Sequence, residues 1–201
     1  MGDATSDDGW RDYYRNTHDH PPRPLTVQAL AHLPSRNRAL DLGAGALNDS
    51  RYLLAEGFAH VTALDQTSVA AEAAATLPQP RFRYDISRME DYAFPPSTFD
   101  LVTAQFSLPF IPPDQFDRVF ILILASLAPG GVLSANCFGD RDAWAGNPQM
   151  NFHSSADITR MLAPCTVLHF YEEEAERPTA AGVMKHWHIF DWLCSRIVCA
   201  L

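Results

Sequence analysis

The chain has 201 residues, of which 47% are hydrophobic and 19% are charged, and its formal net charge at pH 7 is −9. This composition is typical of a folded globular protein, and the length suits one α/β domain with a short appendage. The negative charge disfavours binding to phosphate backbones, and no run of basic residues offsets it. Nucleic acid is therefore not expected as a partner.

Targeting and redox signals point to the cytoplasm. The residues after Met1 are polar and acidic and lack the basic and apolar regions of a signal peptide. The longest apolar stretch, 119–128, is too short to cross a bilayer, so no membrane contact is expected. The cysteines show no metal-ligand spacing and are interpreted as free thiols in a reducing compartment. They are Cys137, Cys165, Cys194 and Cys199.

The first 23 residues are predicted to lie outside the main domain. Residues 1–9 are polar and are expected to be disordered. The stretch "GWRDYYRNTHDHPPRP" follows, and without a clean aliphatic periodicity it is predicted to form an arm or lid. Residues 24–201 are predicted to form a single domain, because no linker, repeat or second composition interrupts them.

From residue 24 the hydrophobic pattern alternates between helices and strands. The predicted elements are, in chain order, a helix at 24–33, a strand at 39–42, a helix at 50–56, a strand at 60–65, a helix at 68–77, strands at 81–84 and 99–105, a helix at 114–127, a strand at 132–138, a helix at 154–162, and strands at 167–171 and 184–198. Such alternation predicts a parallel sheet with helices on both faces, where ligands bind at the carboxyl ends of the strands.

The stretch "RALDLGAGALNDSRYLLAEGFAHVTALD", 38–65, carries the strongest functional signal. Gly43 and Gly45 let a ligand approach the main chain, and the helix that follows presents free N–H groups. Asp65, at the end of the next strand, is placed to accept hydrogen bonds from two ribose hydroxyls. A tight structural turn with an acidic residue nearby would account for fewer of these features, so their combination and spacing favour a nucleoside-binding site.

The spacing also narrows the type of nucleotide. A dinucleotide site requires a third glycine at the position of Asn48, so the G-x-G-x-x-G pattern fails there. No G-K-[ST] sequence follows, which excludes a phosphate-binding loop of the P-loop type.

The segment "DLGAG", 41–45, instead resembles motif I of the class I S-adenosylmethionine-dependent methyltransferases. In that family the loop backbone packs against the methionine and ribose of the cofactor, and the resemblance gives Asp65 the ribose hydroxyls. Many members carry a further glycine where this chain has Leu47.

Later segments resemble the same family in the same order. Asp85 and Ile86 match the site facing the adenine, 99–105 matches the fourth-strand motif, and 127–139 matches the turn into the fifth strand. The segment 185–198 resembles the last antiparallel strand of small members such as the tellurite-resistance-type enzymes. The resemblance implies a three-layer Rossmann-like fold with a mostly parallel seven-stranded sheet.

The resemblance also implies a set of site residues. The cofactor residues are expected to be Asp41, Gly43, Ala44, Gly45, Asp65, Gln66, Asp85, Ile86, Gln105 and Phe106. The acceptor residues are expected to be Tyr14, Ser107, Trp144 and His153. Tyr13 and Tyr14 could cover the sulfonium or only anchor the arm, and Leu108 and Phe110 could border the acceptor or belong to the core.

The predicted function is transfer of a methyl group from S-adenosylmethionine to a small molecule, with S-adenosylhomocysteine as product. In-line displacement at a carbon already activated by a sulfonium needs alignment more than a base, and no catalytic base is identified. Leu47 motivates an alternative, a catalytically silent cofactor-binding module, and the general βαβ pattern leaves a nicotinamide-dependent oxidoreductase as a third. His186 and His188 point the same way on a strand; a hydrogen-bonded pair is favoured over a metal site, so no metal is predicted.

Overall fold

The computed structural model describes residues 7–196, and one mixed sheet organises them. The strands are β1 (Arg38–Leu42), β2 (His60–Asp65), β3 (Phe82–Ile86), β4 (Phe99–Ala104), β5 (Leu127–Gly139), β6 (Phe152–His153), β7 (Cys165–Pro178) and β8 (Met184–Arg196). The helices are α1 (Asp7–Thr17), α2 (Pro24–Ala29), α3 (Asn48–Ala55), α4 (Ala71–Ala75), α5 (Phe116–Ser126) and α6 (Ser155–Leu162).

The strand order is β3-β2-β1-β4-β5-β8-β7, with the two-residue β6 paired to the end of β5. Neighbours from β3 to β5 run parallel, and β8 is antiparallel to both β5 and β7. This topology confirms the predicted Rossmann-like fold with its antiparallel last strand. The strand order reverses between β1 and β4, so the carboxyl ends of these two strands form the expected binding edge.

The core lies on both faces of the sheet. One cluster joins the sheet to α5 and α6 and includes Phe116 and Ile158. The other joins it to α2, α3 and α4 and includes Leu25, Leu53 and Ala74. The central strand β4 is buried at every position, as expected for a strand covered on both faces. The site therefore sits at the edge of a rigid, well-packed sheet.

The N-terminal arm contains a helix that the sequence analysis missed. Helix α1 begins at Asp7, inside the stretch predicted to be disordered, and residues 1–6 lie outside the described part of the chain. Trp10, Tyr13, Tyr14 and Thr17 follow the i, i+3, i+4, i+7 spacing of an amphipathic helix. Its inner face is aromatic and hydroxylic instead of aliphatic, which hid the periodicity.

Several other elements differ in length from the prediction, among them α2, α4, β5 and β7. Helix α4 is shorter than 68–77 because Asp65 accepts hydrogen bonds from the backbone and hydroxyl of Thr67, which holds the chain in a turn. Strand β7 has 14 residues and extends far beyond 171. Its glutamate-rich half is held by pairing to β8 and by Arg141, which forms salt bridges with Glu172 and Glu174.

Cys137, Cys165 and Cys194 are buried free thiols, as expected. Cys199 and the predicted end of the last strand lie outside the described residues. Among residues 7–196, no helix is long and apolar enough to cross a membrane.

Candidate active site

The loop after β1 makes a close approach that requires glycine. Gly43 has a φ of +66°, and its N–H and that of Ala44 both donate to the Leu64 carbonyl, at 2.8 and 3.1 Å. A Cβ on Gly43 would lie 2.4 Å from the Cβ of Ser107, in the turn after β4. Any larger residue would push the carboxyl ends of β1 and β4 apart, so this glycine closes the binding edge.

Leu47 keeps the backbone conformation that glycine favours. Its φ is +63°, although left-handed backbone costs a non-glycine residue about 1–2 kcal/mol. The side chain is fully buried in the core cluster on the α3 face, together with Leu53. Burial of a leucine side chain offsets this strain. The side chain therefore points into the core and does not line the cavity described next.

A cavity of about 150 Å³ lies over the loop. Its floor is the loop itself, from Gly43 to Ala46, and one wall is the start of α3. Its cover comes from α1 and from the segment that follows it, 18–23, called here the strap. The lining residues include Tyr13, Thr17, His20, Arg23, Asp41, Gly43, Ala44, Gly45, Ala46, Asn48, Asp49 and Gln105.

Two buried carboxyls line one wall of the cavity. Asp41 is 3% exposed, and its carboxylate accepts a 2.6 Å hydrogen bond from Ser50. Burial raises the pKa of Asp41 to about 8, and the nearby charge of Asp49 adds to the effect. Burial also raises the pKa of Asp49, which accepts hydrogen bonds from the Arg23 N–H and the Thr26 hydroxyl. Within residues 7–196, Asp41 has no salt bridge, so this wall favours a cation.

Asp65 fastens the loop to β2. Its two oxygens accept hydrogen bonds from the Gly45 N–H and from the N–H and hydroxyl of Thr67, at 2.9 to 3.0 Å. A carboxylate offers about four acceptor positions, so at least one remains for a ligand hydroxyl. Gln66 follows directly, and register pairs Asp65 with Ile86 and Leu64 with Asp85 on β3.

Asp85 and Ile86 form the outer edge of this region. Ile86 is 55% exposed, and Asp85 forms a salt bridge with Arg83. Both belong to β3 instead of following it, because the strand starts and ends later than predicted. The sheet therefore brings Asp65, Asp85 and Ile86 together beside the cavity and not inside it.

Gln105 and Phe106 follow β4 and are held from β5. The Gln105 amide donates to the carbonyl and hydroxyl of Ser134, at 3.0 and 2.9 Å. Phe106 has a φ of +57°, and its N–H donates to the Asn136 side chain at 2.7 Å. Asn136 is 1% exposed. Asn136 thus fixes a strained turn, and nothing in the sequence marked it.

The predicted acceptor residues separate into two groups. Ser107 lies against Gly43, and its buried hydroxyl has no hydrogen-bond partner in the described part of the chain. Tyr14 stacks on His18 and packs on the core, whereas its neighbour Tyr13 lines the cavity. Leu108 is fully buried in the core, and Phe110 is half-buried.

Trp144 and His153 do not line the cavity. The Trp144 ring lies 3.8 Å from the Lys185 ammonium, which also contacts Trp187 and forms a 2.6 Å salt bridge with Asp142. His153 contacts the Phe116 ring, its Nε2 has no hydrogen-bond partner within the described residues, and burial lowers its pKa. The structure thus places both residues at the carboxyl end of β5, where His153 pairs with Gly139 and the Trp144 ring lies 5.9 Å from the Phe138 ring.

The histidine pair on β8 is hydrogen-bonded, as favoured above. His188 is fully buried and lies 3.0 Å from Glu172, and His186 interacts with Glu174 and Glu176. Across residues 7–196, no group of three or more metal-ligating side chains is able to hold an ion.

Sequence reasoning missed Arg23, Asp49 and Asn136. Arg23 lies in a proline-rich strap, Asp49 follows the loop by four residues, and Asn136 is an isolated polar residue in an apolar strand. For these residues the sequence offered one signal, an aspartate near the start of a helix, because acidic side chains are favoured at a helix N-terminus.

Part of the chain matches a known protein family, and the matched residues include the glycine loop. Residues 39–131 match the family model described as a methyltransferase domain. No curated protein matches the sequence significantly.

Three solved structures share the fold. The 1,6-didemethyltoxoflavin-N1-methyltransferase of Burkholderia thailandensis, with bound 1,6-didemethyltoxoflavin and S-adenosylhomocysteine, is 23% identical over 94% of this chain and 82% of its own, with a TM-score of 0.69. TehB from Haemophilus influenzae is 16% identical over 94% of this chain and 67% of its own, with a TM-score of 0.74. A chain in the complex of the Haloferax volcanii Trm112 methyltransferase activator with a methyltransferase is 16% identical over 96% of this chain and 97% of its own, with a TM-score of 0.73.

Proposed function

We propose that this protein, which has the fold of the class I methyltransferases, transfers a methyl group from S-adenosylmethionine to a small-molecule acceptor. The observation that carries the proposal is the buried carboxyl wall of Asp41 and Asp49, without a salt bridge to Asp41, beside the Gly43 loop. S-adenosylmethionine brings the ammonium and sulfonium cations that such a wall favours. The net charge of −9 supports a small molecule over nucleic acid as acceptor.

The residues present fit the parts of this cofactor. The cavity over the glycine loop suits the amino-acid end, with its ammonium toward Asp41 and Asp49. Asp65 has an acceptor position left for a ribose hydroxyl, next to Gln66. The exposed Ile86 offers an apolar surface for the adenine, and Asp85 lies beside it for the amino group. Gln105 and Phe106 then border the methyl group.

When bound, S-adenosylmethionine would supply a methyl group that bonds to a lone pair of the acceptor. The electrons of the broken carbon–sulfur bond would stay with sulfur, and the acceptor proton would go to solvent. The chain contributes alignment and exclusion of water. Asn136 and Ser134 hold the turn at Phe106 against the glycine loop. No base is required of the chain for an acceptor that is already nucleophilic.

The N-terminal arm acts as a lid in this proposal. Pockets for drug-sized ligands measure about 300–1,000 Å³, whereas this cavity measures about 150 Å³ beneath α1 and the strap. The Tyr13 ring lies 3.5 Å from the position of a Cβ on Gly45, and the Asn48 amide donates to the Thr17 carbonyl at 2.7 Å. Access of the whole cofactor requires these few contacts to open.

The burial of Leu47 supports an enzyme over a silent binding module, since the residue that motivated the module leaves the cavity clear. Asn48 at the start of α3 gives no support to a nicotinamide site, which needs a glycine there.

The test is a calorimetric titration with S-adenosylmethionine, S-adenosylhomocysteine and NAD, on the native protein and two glycine variants. Gly43→Ala meets both left-handed backbone and the Ser107 contact, whereas Gly57→Ala meets left-handed backbone alone, with open space around it. We expect micromolar binding of the two adenosyl ligands, at least 100-fold weaker binding in Gly43→Ala, and native affinity in Gly57→Ala.

Binding of NAD, or equal affinities in the two variants, would contradict the proposal. A folded native protein that binds neither adenosyl ligand would also refute it. Circular dichroism melting of both variants serves as the check on folding.

A further inference from the structure

Six side chains beside the cavity form a closed circuit of contacts. Ring centroids of Trp10 and Tyr13 lie 6.1 Å apart, and those of Trp10 and Phe110 lie 5.3 Å apart. Phe138 lies 6.5 Å from Phe110 and 6.2 Å from Phe106. Arg23 completes the circuit, since its guanidinium lies 4.7 Å from the Phe106 ring and donates to the Tyr13 hydroxyl at 3.1 Å.

The circuit adjoins the proposed methyl donor. Tyr13 and Arg23 line the cavity over the glycine loop, and Phe106 follows Gln105, which also lines it. The members come from α1, the strap, the turn after β4, and β5, so the circuit spans the carboxyl edge of the sheet where strand order reverses. A molecule held there lies next to the reacting group.

The rings remain available to a ligand. Only Phe138 is fully buried; Trp10, Tyr13, Phe106 and Phe110 are each half-buried, although large aromatic rings gain by complete burial. The adjoining rings of Trp144 and Trp187 differ, because the Lys185 ammonium already covers their faces at 3.8 and 3.5 Å. Within the circuit this ammonium lies over the buried Phe138 alone, at 4.7 Å.

The polar atoms around the circuit are mainly hydrogen-bond donors. Among residues 7–196, neither the buried indole N–H of Trp10 nor the buried hydroxyl of Ser107 has a hydrogen-bond partner. The Arg23 guanidinium can only donate. A buried donor without a partner costs about 1–3 kcal/mol, so a ligand that accepts hydrogen bonds is favoured here.

We propose that the methyl acceptor is a planar aromatic or heteroaromatic molecule whose substituents accept hydrogen bonds, stacked on this circuit. The inference rests on the proposed function, because it assigns the acceptor class of the same site. Flat rings fit between half-buried aromatic faces at offset or edge-on geometry, and carbonyl, carboxylate or ring-nitrogen groups meet the unpaired donors.

The test measures binding to the protein saturated with S-adenosylhomocysteine, which removes differences in nucleophilic reactivity between acceptors. The probes are 2-naphthoate, its saturated analogue decahydro-2-naphthoate, and 2-naphthylmethylammonium, whose substituent donates hydrogen bonds. We expect 2-naphthoate to bind at least tenfold more tightly than either of the other two, which corresponds to about 1.4 kcal/mol.

Variants assign the effect to the circuit. Phe106→Leu and Phe110→Leu keep an apolar side chain and are expected to reduce the preference for the aromatic probe to less than threefold. Tyr171→Leu removes an aromatic ring that is 54% exposed on β7 and should leave the preference unchanged. Because two variants are tested, the experiment still gives an answer if one of them fails to fold.

Equal binding of the saturated and aromatic probes, or no binding of 2-naphthoate, would overturn the inference. So would an equal loss of preference in Tyr171→Leu. Failure of the proposed function is separate, because it would already appear as the absence of S-adenosylhomocysteine binding before any probe is added.

Discussion

Two buried groups of ionisable side chains differ in whether their charges are balanced by a partner. At the end of β1, Asp41 and Asp49 lie together over the glycine loop, and Asp41 has no salt bridge within the described residues. Just after the carboxyl end of β5, Asp142 is buried as well, but it pairs with Lys185 of β8 at 2.6 Å. The first site holds two acids and no cation paired with Asp41, whereas the second is a paired acid and base.

The surroundings of the two sites explain the difference. Asp142 also accepts hydrogen bonds from the N–H groups of Trp144 and His188, and the Lys185 ammonium lies over aromatic rings, so this pair joins the loop after β5 to β8. Asp41 has one hydroxyl donor, from Ser50. A neutral, fully bonded pair fixes structure, and an unbalanced wall beside a cavity is suited to a cationic ligand.

The largest expected effect comes from breaking the neutral pair. Lys185→Met keeps an apolar stem but leaves the Asp142 charge buried and unpaired. Removing one partner of a buried pair costs about 3–5 kcal/mol in the free energy of unfolding, which denaturant titration measures. The affinity for S-adenosylhomocysteine should stay within about threefold of native, because Lys185 does not line the cavity.

The matched control is Arg177→Met, which breaks the exposed salt bridge of Arg177 with Glu173 on β7. Exposed pairs contribute about 1 kcal/mol or less. If the two variants lost the same stability, the Lys185 pair would not be the structural anchor that the comparison requires.

The sequence drew attention to the glycine loop and Asp41 of the first site, but to neither Asp49 nor the second site. The "DLGAG" segment and Asp65 lie within one βαβ unit, where spacing along the chain and distance in space agree. The topology and the antiparallel last strand followed from the order of elements and from family resemblance. Such local patterns leave a signal that one sequence can show.

The second site depends on contacts between segments far apart in the chain. Asp142 and Lys185 are separated by 43 residues, and Arg23 and Asp49 by 26, so no spacing rule links them. The contact of the Trp144 ring with Lys185 likewise appears only in the folded chain, and the prediction that Trp144 borders the acceptor stays a prediction. The aromatic face of α1 was missed for a different reason, its lack of aliphatic residues.

The next effect is a pH dependence that arises from Asp41 in the first site. Because the pKa of Asp41 is raised from 3.8 to about 8, the folded protein holds a proton that the unfolded chain has released between these values. Stability from this group is complete below about pH 4 and falls as pH rises toward 8, by about 1 kcal/mol per pH unit.

The measurement is the free energy of unfolding of the ligand-free protein from pH 4 to pH 9, for the native chain and Asp41→Asn. Asparagine removes the titration, so the difference between the two proteins should change steadily with pH and level off above about 8. If the difference in the free energy of unfolding did not change with pH, Asp41 would titrate normally and its burial would not disfavour the charged form.

The smallest expected effect sharpens the comparison by supplying the missing cation. At pH 7 Asp41 is largely protonated in the free protein, since its pKa is about 8, and an ammonium beside it would favour the charged form. Binding of S-adenosylhomocysteine should therefore release up to about one proton.

Calorimetry in phosphate and in Tris buffer detects this release, because the two buffers take up protons with different enthalpies. 5′-Methylthioadenosine lacks the amino-acid end and should release none, and Asp41→Asn should lose the part of the release that Asp41 provides. Equal release with both ligands would place the ammonium elsewhere, and the buried acids would then balance no part of the cofactor.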